Sequence, residues 1–127
     1  MNYKTEEAIS ISYEFMQYFA VGIEQILIDQ QLHDGLLLDQ FKEIKYELYQ
    51  LLCDLQYALH LLNIPQKPNV SRSVMSYEYR DIKELSRRNL KDYRILREYI
   101  NATHFIANLF AYRETKIMDQ QLNDLLI

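Results

Sequence analysis

The stretch LLDQFKEIKYELYQLLCDLQYALHLL, residues 37–62, decides the fold of this chain. Within it Leu37, Phe41, Ile44, Leu48, Leu51, Leu55 and Leu62 step by three, four or seven residues, with Leu52 and Leu59 beside them. Such steps return to one side of a helix that turns every ~3.6 residues. A near-heptad stripe of this kind packs against a neighbouring helix at a shallow angle. Asn63 and Pro65 end it, because proline disfavours helical geometry in the residue before it.

Upstream, a first helix is predicted over Thr5–Gln30. Thr5 can cap it, and Glu6 and Glu7 sit where the helix dipole favours acids. Ile9, Met16, Ala20, Ile23 and Leu27 form its apolar stripe, flanked by Phe15, Phe19 and Ile26. Ile11, Tyr18, Val21 and Ile28 lie outside that stripe, so the apolar arc is wider than one neighbour would cover. Gly22 in its middle points to a close helix–helix approach. Residues 31–35 read as a turn, with Asp34 as the N-cap of the next helix.

Downstream, residues 63–71 hold both prolines and form the one linker between two helical halves. A third helix is expected over Ser73–Ser86, broken at Arg87-Arg88-Asn89. A fourth follows through Tyr93, Leu96 and Ile100 to Lys116, then an amphipathic tail over Met118–Ile127. The apolar spacing also allows residues 73–117 to be one bent helix of about forty residues. The expectation is thus a single all-α domain over residues 1–127, an antiparallel bundle of three to five long helices packed through Ile9, Met16 and Ile23 against Phe41, Leu48 and Leu55.

Composition agrees. Two glycines and two prolines are too few for a protein of strands and tight turns. The 49% hydrophobic and 25% charged residues are globular values and argue against disorder. A lone cysteine, Cys53, excludes an internal disulfide and a thiolate-cluster metal site. With a polar, acidic start and no apolar run of membrane-spanning length, the expectation is a cytoplasmic protein without a membrane partner. Eleven tyrosines and no tryptophan resemble the usage of AT-rich genomes, as in a low-GC bacterium or its phage.

Charge is unevenly placed. Residues 1–71 carry four Lys/Arg against ten Asp/Glu, whereas residues 72–97 carry eight against four, and all seven arginines lie at or after Arg72. On one continuous helix Arg80, Lys83, Arg87, Lys91 and Arg94 would form a basic stripe able to track a phosphate backbone, or to face the acidic half of another subunit. On the second helix, Tyr46, Tyr49, Cys53, Tyr57 and His60 recur at heptad-like spacing away from the leucine stripe. Tyrosine combines apolar area with a polar tip and is enriched at interfaces, so this face is either covered by a third helix or serves as an oligomer seam.

Chemistry-bearing motifs are few. Gly22 and Gly35 cannot make a phosphate loop, and His33, His60 and His104 are scattered, so neither a metal site nor a cofactor is expected. Asp29 lies four residues before His33, a pair that reads as a solvated helix end. Arg97 and His104 stand with six residues between them, and this resembles the Arg-x4–6-His motif of the HEPN superfamily, all-α bundles that include metal-independent RNases. The resemblance implies that arginine would stabilise a charged transition state at a dimer cleft and that histidine would act as acid or base. Glu98 stands where members often carry Asn, Asp or His. On a continuous helix Arg97, Asn101, His104, Asn108 and Thr115 share one polar stripe. The leading expectation is a non-enzymatic regulatory protein that acts through protein partners or its own copies. The HEPN-like RNase and a nucleic-acid-binding module using residues 80–94 stand as alternatives.

Overall fold

The structure, a computed structural model, describes residues 5–126, the side chains of residues 5, 109, 112–119 and 126 excepted. It is all-α, with no strand among the described residues. Helix α1 spans Thr5–Leu32, α2 Leu38–Leu61, α3 a single turn over Tyr77–Arg80, and α4 Leu85–Leu126. A 3₁₀ turn over Arg72–Val74 precedes α3. The expected Thr5 cap lies outside the described side chains.

The stripes read from the sequence meet in one core. Ile9, Tyr13, Met16, Ile23 and Ile26 of α1 pack with Phe41, Leu48, Leu55 and Leu59 of α2, and Ile106 of α4 joins them. Met16, Ile23 and Leu48 are wholly shielded from solvent. Burying each such side chain contributes about 1.5–3 kcal/mol.

Both long turns close in the same way. At the end of α1, Gly35 N–H donates to Gln30 O at 2.8 Å while Asp34 takes φ 51°. At the end of α2, Ile64 N–H donates to Leu59 O at 2.9 Å and Asn63 N–H to His60 O at 3.1 Å, with Asn63 at φ 55°. These are Schellman terminations, which need one left-handed residue, and short polar side chains tolerate that conformation. Asp34 therefore ends α1 and does not cap α2. The start of α2 is served from α1, where Gln30 Oε1 accepts from Leu37 N–H at 3.1 Å. Ile64 folds back onto the core beside Leu59, the apolar contact that accompanies such an ending.

The linker then climbs along α1. Gln66 Nε2 donates to the Tyr13 hydroxyl at 3.2 Å, Lys67 pairs with Glu14 at 3.3 Å, and Val70 N–H donates to Gln17 Oε1 at 2.9 Å. The expected third helix over Ser73–Ser86 is replaced by the 3₁₀ turn, the four residues of α3 and an irregular stretch over residues 81–84. Side chains from elsewhere hold its free carbonyls. Arg88 Nη1 donates to Ile82 O at 3.2 Å and Lys83 O at 2.7 Å, and Gln25 Nε2 donates to Arg80 O at 3.1 Å. The break thus falls before Leu85, and Arg87-Arg88-Asn89 lie inside α4. The expected tail beyond Lys116 is a continuation of the same helix, to Leu126.

α4 descends antiparallel to α1. Lys91 meets Asp29, Ile95 meets Gly22, and Tyr99 packs edge-on against Phe19 with ring centroids 5.9 Å apart. Gly22 marks the predicted close approach, since a Cβ there would lie 3.0 Å from Ile95 Cγ2.

Candidate functional site

Three surfaces stand out in the sequence, and the structure treats them differently. Arg97 and His104 are both exposed on α4, two helical turns apart and so nearly on one side of it. Arg97 reaches Glu98 at 3.4 Å and lies 5.8 Å from the Tyr93 ring centre. Asn101 and Asn108 are exposed on the same stripe, while the Thr115 side chain lies outside the described set. Among the described residues, no second element folds over this stripe to make a cleft with it.

The basic stripe does not exist as a stripe. Arg80 ends α3 and Lys83 belongs to the irregular stretch, so only Arg87, Lys91 and Arg94 share a helix. Lys91 faces inward and is 8% exposed. Its ammonium is hydrogen-bonded to Asp29 Oδ2 and stands 3.5 Å from Asp92 Oδ1. Asp29 is 6% exposed, so it is an internal group and not the solvated helix end that its spacing from His33 suggested. Gln25 donates to Asp29 Oδ1 at 3.1 Å and accepts from Arg72 Nη2 at 3.1 Å. Burial pushes the Asp92 carboxyl above its ordinary range, and Lys91 pulls it back only in part.

The outer face of α2 is largely uncovered. Tyr46 and Tyr57 are 65% and 63% exposed, and Cys53 and His60 are also at the surface. Tyr49 leaves this row. It is half-buried towards α1, where its hydroxyl donates to Glu24 and Lys45 lies 5.3 Å from its ring centre. Cys53, Tyr57 and His60 line an open depression of about 580 Å³ with Leu59, Ile64 and Gln66. At the end of the helix Leu61 and Leu62 are exposed as well.

A further cavity takes in three members of the basic row, Arg87, Lys91 and Arg94. Between α1, α4 and the connector of residues 74–82 lies a pocket of about 640 Å³. Val21 and Ile82 line its floor and are nearly shielded from solvent, whereas Tyr18, Tyr79 and Leu90 stand half-exposed around it. Arg87 and Arg94 complete the rim with Lys91 below them, and among the described residues no carboxylate lines it. A partial signal was present, because Tyr18 and Val21 lie outside the main α1 stripe, which is where the pocket opens.

No protein-family model, curated protein or solved structure matches this chain. Among the described residues no helix is long and apolar enough to cross a membrane, and no three His, Cys, Asp or Glu side chains are gathered as a metal cage.

Proposed function

We propose that this chain is a non-catalytic helical interaction protein that works through protein–protein contacts, with its own copies as the first partner. The observation that supports this reading is the α2 outer face. Tyr46 and Tyr57 present large rings to solvent on a helix whose opposite side carries the buried Phe41, Leu48, Leu55 and Leu59, and Leu61 at its end extends the exposed apolar surface. A helix that faced only water would gain nothing from tyrosines there, whereas rings with polar tips suit a seam that is wet before assembly and dry after it. A two-fold arrangement would bring the same face of each copy together.

The HEPN-like RNase reading draws less support. Its arginine is engaged by Glu98, which competes for the charge a phosphate would need, and its histidine stands in the open on α4. The two groups could act only in a cleft supplied by another molecule. A nucleic-acid groove along residues 80–94 is weaker again, because Lys91 is committed to Asp29.

Sedimentation at micromolar concentration tests the leading reading. The chain should run as a dimer or larger. Tyr46→Lys with Tyr57→Lys should give a monomer whose helical content and melting are unchanged, because both side chains are exposed. A wild-type chain that stays monomeric throughout would defeat self-association.

A further inference from the structure

We propose that the pocket between α1, α4 and the 74–82 connector is a binding site for a small amphipathic anion: a carboxylate, phosphate or sulfate head on an apolar body of about a dozen carbons. This role goes beyond the interaction function, and the pocket shares no residue with the α2 face.

Charges around the pocket are unevenly matched. Lys91 itself lines the pocket, and buried with it are two acids, Asp29 and Asp92, and a second base, Arg88. Lys91 is held by the two aspartates and Arg88 by the carbonyls of Ile82 and Lys83. The floor is therefore close to neutral. Arg87 and Arg94 are extra. Neither has a hydrogen-bond or ion-pair partner among the described residues, in a chain that carries more acids than bases. They are two turns apart on α4, which places both guanidinium groups on one side of the helix, about 10 Å apart at their roots. Each side chain is long enough for the two to converge on one head group, and paired arginines are suited to bidentate binding of an oxyanion.

The rest of the wall has the opposite character. Val21, Val74, Ile82, Leu90 and Ile95 supply aliphatic surface, and Tyr18 supplies an aromatic flank. The volume, about 640 Å³, falls in the range of small-molecule pockets, which are mostly apolar with a few polar groups that fix orientation. Cations at the rim over an apolar floor match a ligand with one charged end and one greasy end. A fully polar anion would leave the floor unfilled, and an uncharged hydrocarbon would leave the guanidinium groups unused.

Calorimetric titration with dodecanoate, kept below its micelle concentration, is the test. The wild-type protein should bind one molecule per chain, saturably. Arg87→Gln with Arg94→Gln should weaken binding about ten-fold or more, as expected when charge-assisted hydrogen bonds are lost. Arg87→Lys with Arg94→Lys should recover part of it. Leu90→Trp, which fills the half-exposed wall, should reduce binding while circular dichroism remains unchanged. The Tyr46→Lys/Tyr57→Lys protein should bind dodecanoate like wild type, whatever its mass, so that failure of the α2 seam and failure of the pocket are read separately. Absence of saturable binding, or equal affinity in the Arg87→Gln/Arg94→Gln protein, would overturn the proposal.

Discussion

The two ends of α1 are held by different physics. Towards its N-terminal end, Ile9, Tyr13 and Met16 pack into the apolar core with α2 and α4, and the polar contacts there go to the linker. Towards its C-terminal end, Gln25 and Asp29 are buried under Lys91, Arg72 and the carbonyl of Arg80. Apolar packing is tolerant, because a trimmed side chain loses area and leaves a cavity that neighbours can partly fill. A buried charge has no such latitude, since its desolvation is already complete and only its partner offsets it. Helix α2 is thus attached mainly by bulk, whereas α4 adds to its apolar contacts at Ile95, Tyr99 and Ile106 a buried ion pair.

Lys91→Met attacks the polar end directly. It leaves Asp29 buried without its cation, and the loss should be about 3–5 kcal/mol in urea unfolding. Adding Asp29→Asn should recover most of it, because the new amide keeps an oxygen for Gln25 and carries no charge. A double variant no more stable than Lys91→Met would show that the pair is not the source of the loss.

At the apolar end, Leu48→Ala and Leu55→Ala should each cost about 2–5 kcal/mol, with Leu48 the more costly because it is wholly shielded. Near-zero loss in both would remove the α1–α2 register described above.

The smallest effect tests Asp92, and its sign is opposite. Burial raises this carboxyl from its ordinary value of 3.8, so the native state keeps the proton to higher pH than the unfolded chain does. Stability attributable to Asp92 is therefore greatest in acid and falls as pH rises from 3.8 through the raised native value, then levels. Asp92→Asn should make the protein more stable at neutral pH by up to about 1 kcal/mol and should flatten the melting-temperature profile across that window. A variant less stable than wild type at neutral pH would mean that the Lys91 contact outweighs the burial.

The same contrast explains what could be read from the sequence. The apolar registers of α1 and α2, the turn between them and the linker over residues 63–71 were all legible, because periodicity and proline are local signals. The break at residues 81–84 was not. Tyr79, Ile82 and Leu85 keep helical spacing across it, and what holds the chain open there is Arg88 and Gln25, whose roles depend on packing. The exposed row Tyr46, Cys53, Tyr57 and His60 was visible for the same reason as the core, whereas Tyr49 turns out of that row towards Glu24 on another helix, a contact that spacing does not show. The arginine-rimmed pocket was legible only in fragments: Tyr18 and Val21 outside the main α1 stripe, and Arg87, Lys91 and Arg94 in the basic row. Its walls come from residues 18–21, 74–82 and 87–95, and no local pattern joins three such segments.

The pairing of Asp29 with Lys91 also has a consequence for how the chain assembles as it is made. Asp29 is synthesised 62 residues before its partner, after which the short turn at residues 33–37 lets α2 dock while α4 does not yet exist. In that interval Asp29 is free to stay hydrated, which disfavours early collapse of anything apolar onto the surface that α4 will later occupy. When α4 arrives it can slide along α1, but a slip of one helical turn would set Arg87 or Ile95 in place of Lys91. Ile95 would strand the carboxylate in an apolar site, and Arg87 would bring a bulkier head than the space beside Gln25 accepts. One ion pair thus joins the fit of Ile95 over Gly22 and of Tyr99 on Phe19 in selecting the sliding position of the last helix.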